Sequence, residues 1–191
     1  MRFTILIPHY RTGKMTAYAV WKILSHSDVD IVIINNSPGH PGIDHVLKTK
    51  LADHVTVIDY PDGLLQSQGI ALDYALMNGH VKNEYFITLE SDSFPTEDGW
   101  LDGYEQYADM GFDAAGSLLH LSGGQYIHPC GAMYRQSVWK FAFNYSRLIE
   151  QMYCYIPNLL LKEGFPCHAM VKRVKLEELL IQLRPQFPDR Y

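Results

Sequence analysis

Tyr85-Phe86-Ile87-Thr88-Leu89-Glu90-Ser91-Asp92-Ser93-Phe94-Pro95 is an apolar run that stops abruptly at two carboxylates, one residue apart, and then a proline. Its first five residues, rich in β-branched and aromatic side chains, have the length and composition of a sheet strand. The polar cluster from Ser91 to Glu97, with Pro95 inside it, ends that strand. The acids therefore stand at the carboxyl end of a strand, the edge at which open α/β sheets bind their ligands. Carboxylates at i and i+2 on a loop can turn toward one hard divalent cation, and such a cation keeps positions open for substrate phosphates. Acids after a strand also make a solvated turn or the start of a helix, so the flanking sequence has to decide between the two.

Upstream, strand and helix signals alternate. Phe3 to Ile7 is an apolar run closed by Pro8, and Thr16 to Leu24 carries apolar residues at helical spacing. Asp30 to Ile34 is a second apolar run, closed by Asn35-Asn36-Ser37-Pro38-Gly39, and Val55 to Asp59 is a third, ending at Tyr60-Pro61-Asp62-Gly63. A helical segment spans Leu64 to Asn78, with Gly79 as its C-terminal stop. Strands separated by single helices argue for βαβ units and a mostly parallel sheet covered on both faces. Right-handed crossovers then gather four strand-end loops on one edge: Pro8 to Lys14, Asn35 to Gly39, Tyr60 to Gly63, and Glu90 to Pro95.

Composition narrows the function classes. The chain has 191 residues, 47% hydrophobic and 19% charged, which suits one globular domain with a sizeable core. No apolar run reaches the roughly 18 to 20 residues of a membrane span, and no signal peptide precedes the first strand, so a cytoplasmic location is expected. Cys130, Cys154 and Cys167 are odd in number and form no CxxC pair, which argues against a disulfide framework or a zinc site. A net charge of -5 supplies no general attraction to nucleic acid or anionic membrane.

Ile5-Leu6-Ile7-Pro8-His9-Tyr10-Arg11, Ile33-Ile34-Asn35-Asn36-Ser37-Pro38, and Gly69-Ile70-Ala71-Leu72 followed by Tyr85 to Asp92 with Pro95 and Trp100 together resemble the nucleotide-binding half of GT-A glycosyltransferases, in particular the family 2-like ones. The resemblance covers roughly residues 2 to 140. It implies an α/β, Rossmann-like GT-A core over 1–145, with a mostly parallel sheet flanked by helices. Residues 146–191 would then be a short helical C-terminal region packed on that core, with helical periodicity over Gln151 to Lys162 and Lys175 to Leu183.

In such enzymes the strand-end acids are the DxD motif, which holds Mn2+ or Mg2+ against the diphosphate of a nucleotide sugar. Here it stands as Glu90-Ser91-Asp92, so Asp92 and Glu90 are the expected catalytic and metal-binding pair, with His168 a candidate third ligand. The resemblance places the donor nucleotide, a UDP-sugar by preference, against Pro8, Tyr10, Arg11, Asn36, Ser37 and Gln66. Independently of it, Tyr10 offers a flat apolar face with a polar tip, suited to stacking on a base, and Arg11 and Lys14 are cations that could meet a diphosphate. Two departures stand out: Asn35 occupies a position where relatives often carry an acid, and Gln66-Ser67-Gln68-Gly69 replaces an Arg-Asn pair.

Downstream, Asp113 to Leu118 and Gln125 to Tyr134 look like strands around a turn at Ser122-Gly123-Gly124. His128-Pro129-Cys130-Gly131 resembles the segment entering the acceptor side of the cleft, with Gly131 and Trp100 on that side and His128 able to orient or deprotonate a hydroxyl. Asp113, Glu150 and Glu163 are further candidates for a base. The expected activity is transfer of a single sugar to an acceptor hydroxyl with a divalent metal. The acceptor stays open among saccharide, lipid-linked sugar, protein and modified DNA base. Two alternatives are a non-catalytic nucleotide- or sugar-binding module with a degenerate site, and a sugar nucleotidyltransferase, which would be expected to carry a glycine-rich phosphate loop where Pro8 to Lys14 has only Gly13.

Overall fold

Phe3–His9 (β1), Gly13–His26 (α1), Asp30–Asn35 (β2), Val55–Asp59 (β3), Gln68–Met77 (α2) and Tyr85–Thr88 (β4) follow one another in a computed structural model. It describes residues 1–38, 55–61, 68–116, 118–121, 124–127, 130–139 and 170–171. Beyond β4 come Asp102–Asp109 (α3), Ala114–Ala115 (β5), Leu118–Leu121 (β6), Gly124–Ile127 (β7), Ala132–Arg135 (β8), Gln136–Trp139 (α4) and Met170–Val171 (β9).

Among the described residues the main sheet has seven strands in the order β3-β2-β1-β4-β8-β5-β9. The first four are parallel, with Ile7 opposite Ile33, Ile33 opposite Val57 and Ile5 opposite Ile87. The remainder is antiparallel, β8 lying against β4 with Met133 opposite Ile87. The chain moves outward from β1 to β2 and β3, then returns to place β4 on the other side of β1. The order thus reverses between β1 and β4, which is the switch point where a doubly wound sheet leaves a crevice.

Alternation along the strands explains the two buried faces. Phe3, Ile5, Ile7, Ile31, Ile33, Tyr85 and Ile87 pack with Val20 and Ile23 of α1 and Ala108 of α3. Thr16, Ala19, Val20 and Ile23 are the buried stripe of α1, at the i, i+3, i+4, i+7 spacing of one helix face. Leu6, Val32 and Ile34 alternate to the opposite face, and α2, which contacts β1 and β2, buries Ala71, Leu72 and Ala75. The helix ends as expected at Gly79, φ +69°: Gly79 N–H donates to Leu76 C=O at 3.1 Å and His80 N–H to Ala75 C=O at 2.9 Å, the paired bonds of a Schellman stop.

Two expectations need adjustment. Pro8 does not close β1, which runs on to His9. Leu6 C=O accepts from Leu89 on the β4 side and His9 C=O from Asn36 on the β2 side, so Pro8 faces the β4 side beyond the end of β4. A missing N–H there interrupts no ladder. Asp113 to Leu118 is not one strand: β5 belongs to the main sheet, whereas β6 pairs with β7 in a separate two-stranded sheet. Within 146–191, Met170–Val171 forms the edge strand beside β5; the two helical segments expected there lie outside the described residues.

Candidate functional site

A cavity of about 290 Å³ opens at the carboxyl ends of the parallel strands, lined by Pro8, His9, Tyr10, Asn36, Gln68, Glu90, Ser91 and Asp92. It sits where β1 and β4 part, as the strand order requires. The carboxyl end of β4 supplies the acids through a tight turn in which Ser93 N–H donates to Glu90 C=O at 3.0 Å. This puts Glu90 and Asp92 at the first and third positions of one turn, and both reach the cavity.

The β1 and β2 ends are cross-linked. Arg11 N–H donates to Ser37 Oγ at 3.2 Å, and Ser37 donates through both its backbone N–H (3.1 Å) and its hydroxyl (3.3 Å) to Asn35 Oδ1. Asn35 Nδ2 donates to Asp59 Oδ1 at 2.7 Å, which ties in the end of β3. Arg11 adopts φ 55° to make this connection, and among the described residues it is the one non-glycine with positive φ. Such backbone costs about 1 kcal/mol or more and persists where the surroundings demand it. The Arg11 guanidinium lies 5.0 Å from the centroid of the Tyr10 ring, covering one face and leaving a single face of the ring for any stacking partner.

Of the residues singled out in the sequence, Pro8, Tyr10, Asn36, Glu90 and Asp92 line the cavity. Arg11 and Ser37 do not; Ser37 is buried as a brace between loops and Arg11 is exposed above Tyr10. Gly131 and Trp100 are also off the cavity wall. Trp100 packs edge-on to Tyr104 at the rim of the core. Gly131, φ +77°, donates to Thr88 C=O at 2.7 Å and accepts from Tyr104 Oη at 2.7 Å, beside the end of β4. Burial pushes the Tyr104 phenol up from its ordinary value, so it is a firm neutral donor in that bond. Gln66, His128 and His168 lie outside the described residues. Asp113 is placed at the amino end of β4, opposite the cavity. There its carboxylate lies 2.9 Å from Arg135 Nε and its C=O accepts from Arg135 N–H, so it is an ion-pair partner at the other end of the strand from the cavity.

The structure adds His9, Ser91 and Gln68 to the wall. Gln68 carried a signal, as one of the two amides before Gly69. His9 carried little, because alternation along β1 places it on the same face as Ile7, where a residue reads as core.

The walls hold two carboxylates and, among the described residues, no lysine or arginine. An anionic diphosphate could settle there only with a cation between, and two carboxylates plus phosphate oxygens are a suitable hard donor set for Mn2+ or Mg2+. Among the described residues no third histidine, cysteine or acid stands close enough to complete an all-protein site.

No protein-family model matches the chain and no curated protein matches it. Solved structures do. S. aureus TarS 1–349 in complex with UDP-GlcNAc superposes with a TM-score of 0.60 at 14% identity, covering 82% of this chain and 54% of that one. The fold is the GT-A fold. Mannosyltransferase PcManGT from Pyrobaculum calidifontis, in complex with GDP-Man and Mn2+, matches this GT-A chain with a TM-score of 0.60 at 14% identity, covering 75% of it and 47% of PcManGT. The chain thus spans about half the length of these two. A putative glucose-1-phosphate thymidylyltransferase from Bacillus anthracis, in complex with a sucrose, matches with a TM-score of 0.53 at 16% identity, over 86% of this chain and 84% of that one. Among the described residues, no helix is long and apolar enough to cross a membrane.

Proposed function

We propose that this chain is a glycosyltransferase domain that moves a single sugar from a nucleotide-sugar donor to an acceptor hydroxyl, with a divalent cation at Glu90 and Asp92. The observation that carries the reading is the cavity at the β1/β4 switch point. Its wall combines an aromatic ring and an amide at the β1 and β2 ends with two carboxylates and, among the described residues, no cation at the β4 end. Tyr10 and Asn36 are suited to a base and ribose, and the acid turn to a cation-bridged diphosphate. The donor structures bound by TarS and PcManGT, UDP-GlcNAc and GDP-Man, belong to the chemical class this arrangement would take.

Asp92 and Glu90 would hold the cation, which when bound neutralises charge on the departing nucleoside diphosphate. Tyr10 would hold the base on its open face. Asn36, buried at the β2 end, would fix the ribose side by hydrogen bonding. His168 as a third ligand, Gln66 as a donor-site residue and His128 as base or orienting group belong to this proposal, as does a cytoplasmic location. The acceptor is a saccharide, lipid-linked sugar, protein or modified DNA base.

The test is a thermal-shift and hydrolysis panel of UDP-, GDP-, CMP- and TDP-sugars, with and without Mn2+, on wild type and Asp92→Ala. Metal-dependent stabilisation and slow hydrolysis by one nucleotide class, both lost in the variant, are expected. Donor binding that persists without metal and in Asp92→Ala would instead support a non-catalytic binding module.

A second reading has one observation in its favour: the thymidylyltransferase match spans most of both chains. Pyrophosphate release from dTTP and glucose 1-phosphate would establish it. Against it, β1 leads into α1 through Tyr10-Arg11-Thr12, with no glycine before Gly13 to let backbone approach phosphates.

A further inference from the structure

Four polar side chains gather behind the acid turn with roles the nucleotide-sugar reading leaves unused. His9 is 1% exposed although it reaches the cavity wall. Its Nδ1 lies 2.7 Å from Thr16 Oγ1 and 3.2 Å from Thr12 Oγ1. Thr12 Oγ1 donates to Ser91 Oγ at 2.8 Å, joining the β1 loop to the residue between the two acids. Thr16, fully buried, donates to Thr12 C=O at 3.1 Å.

The proton count gives this cluster a direction. Each hydroxyl has one proton. That of Thr16 goes to the Thr12 carbonyl and that of Thr12 to Ser91, so neither is left for the imidazole. With the protons placed this way the hydrogen in the His9 contacts comes from the ring on Nδ1; a Thr16 hydroxyl turned instead to Nδ1, with its contact to Thr12 Oγ1 at 3.3 Å, would reverse the chain, and the protonation of Nδ1 distinguishes the two. Ser91 Oγ accepts from Thr12, and its own proton is left to point elsewhere, in a residue that lines the cavity. Thr12 underlines the point. It is the N-cap of α1, where a threonine side chain usually accepts from a backbone N–H, yet it makes no cap hydrogen bond. The hydroxyl is turned to Ser91 instead.

We propose that His9, Thr12 and Ser91, braced by Thr16, form a one-way hydrogen-bond chain that presents Ser91 Oγ as a donor to a diphosphate oxygen of the bound nucleotide. His9 is a positioning residue in this chain and Ser91 the ligand-binding one. The proposal rests on the nucleotide-sugar reading of the cavity for its outer end and on the protein alone for its inner end, and the two ends are tested separately.

For the inner end, long-range 1H–15N NMR on the free protein should find His9 Nδ1 protonated; an unprotonated Nδ1 overturns the chain. For the outer end, UDP, GDP and the matching monophosphates are titrated with Mn2+ into wild type, Ser91→Ala, Thr12→Val and the double variant, each checked for an intact thermal transition. Ser91→Ala should weaken the diphosphate by about ten- to hundredfold, the worth of one hydrogen bond to a charged group, and leave the monophosphate unchanged. The double variant should be no worse than Ser91→Ala, because Thr12 acts through Ser91; additive losses, or equal losses for monophosphate and diphosphate, refute the assignment. His9→Asn, whose amide N–H can replace Nδ1–H, should keep diphosphate affinity that His9→Leu loses, and equal behaviour of the two removes the positioning role. If wild type binds no nucleotide, the proposed function fails and the outer end with it, while the NMR result still decides the inner end.

Discussion

Replacing Asp73 with asparagine should stabilise this protein at neutral pH and bring no gain near pH 4. Asp73 lies in α2, the helix whose first residue, Gln68, reaches the cavity. It is 6% exposed, and its Oδ1 is buried with no hydrogen-bond partner among the described residues. Burial pushes its carboxyl from the ordinary 3.8 up to about 8. The folded chain therefore binds this proton more tightly than the unfolded one, and its contribution is fully present below pH 3.8 and lost as pH rises toward 8. Each pH unit across that window costs about 1.36 kcal/mol, roughly 4 kcal/mol by pH 7 and roughly 6 in all.

An asparagine has nearly the same shape and no charge to neutralise, but it still buries a polar amide. Asp73→Asn should therefore recover about 2–4 kcal/mol at pH 7, a rise of roughly 5 to 15 °C in Tm for a chain of this size. The assay is urea unfolding of both proteins at several pH values from 4 to 8. The difference should grow steadily with pH and fall to zero or slightly below it at the acid end, where the amide replaces a neutral carboxyl. A pH-independent difference, or an Asp73→Asn chain no more stable than wild type at pH 7, would refute the argument that the carboxyl is buried uncompensated.

Three further outcomes follow from the geometry. Tyr10→Ala should weaken a bound nucleotide by about 1–3 kcal/mol, the usual worth of one base–aromatic contact, whereas Tyr10→Phe changes it little; titration of UDP and GDP separates the two. Asp113→Asn should cost about 1–2 kcal/mol of stability by taking the nearest carboxylate from the partly buried Arg135 guanidinium, which keeps Glu84 at 3.4 Å, with nucleotide affinity unchanged, since Asp113 sits at the far end of β4; parallel unfolding and binding curves check both halves. Gly131→Ala should lower stability by about 1–2 kcal/mol through its positive φ, its new Cβ meeting Tyr104 Oη at 3.4 Å, and the loss is read in a thermal melt.

The parallel half of the fold was legible because its signals are local. Each strand is a short apolar run with polar or proline residues at or just past its end, although β1 runs one residue beyond Pro8, and Gly79 marks a helix end through its own backbone freedom. The acid turn was legible for the same reason. The β5/β6 division was not, since Asp113 to Leu118 reads as one run and only pairing with β8 or with β7 separates its halves. The polar chain behind the acids was less accessible still. Thr12 and Ser91 are 79 residues apart. His9 has the position of a core residue, and no local pattern says that a threonine at a helix start will spend its hydroxyl on another loop rather than on its helix.

Asn35 makes the same point in a testable form. At the position where GT-A relatives often have an acid, this chain has an amide, and the structure uses both ends of it: Nδ2 donates to Asp59 and Oδ1 accepts twice from Ser37. It is 3% exposed and does not reach the cavity wall, so it orders the β2 loop that carries Asn36 rather than touching a ligand itself. An acid at this position would therefore harm this chain. In Asn35→Asp a carboxylate oxygen would replace the amide donor 2.7 Å from Asp59 Oδ1, removing a hydrogen bond to a charged group and setting two like charges together. Because Asp59 is exposed, solvent screens part of the repulsion, and the expected loss at pH 7 is about 1–2 kcal/mol. The loss should shrink as pH falls toward about 4, because two carboxylates this close hold a shared proton more tightly folded than unfolded. The decisive comparison is the exchange Asn35→Asp with Asp59→Asn, which rebuilds the bond with donor and acceptor reversed and leaves Oδ1 of residue 35 free to accept from Ser37. Recovery of stability and of nucleotide affinity in the exchanged pair places the function of this amide in the loop; affinity lost in both the single and the exchanged variants, with stability restored, would place residue 35 on the ligand instead.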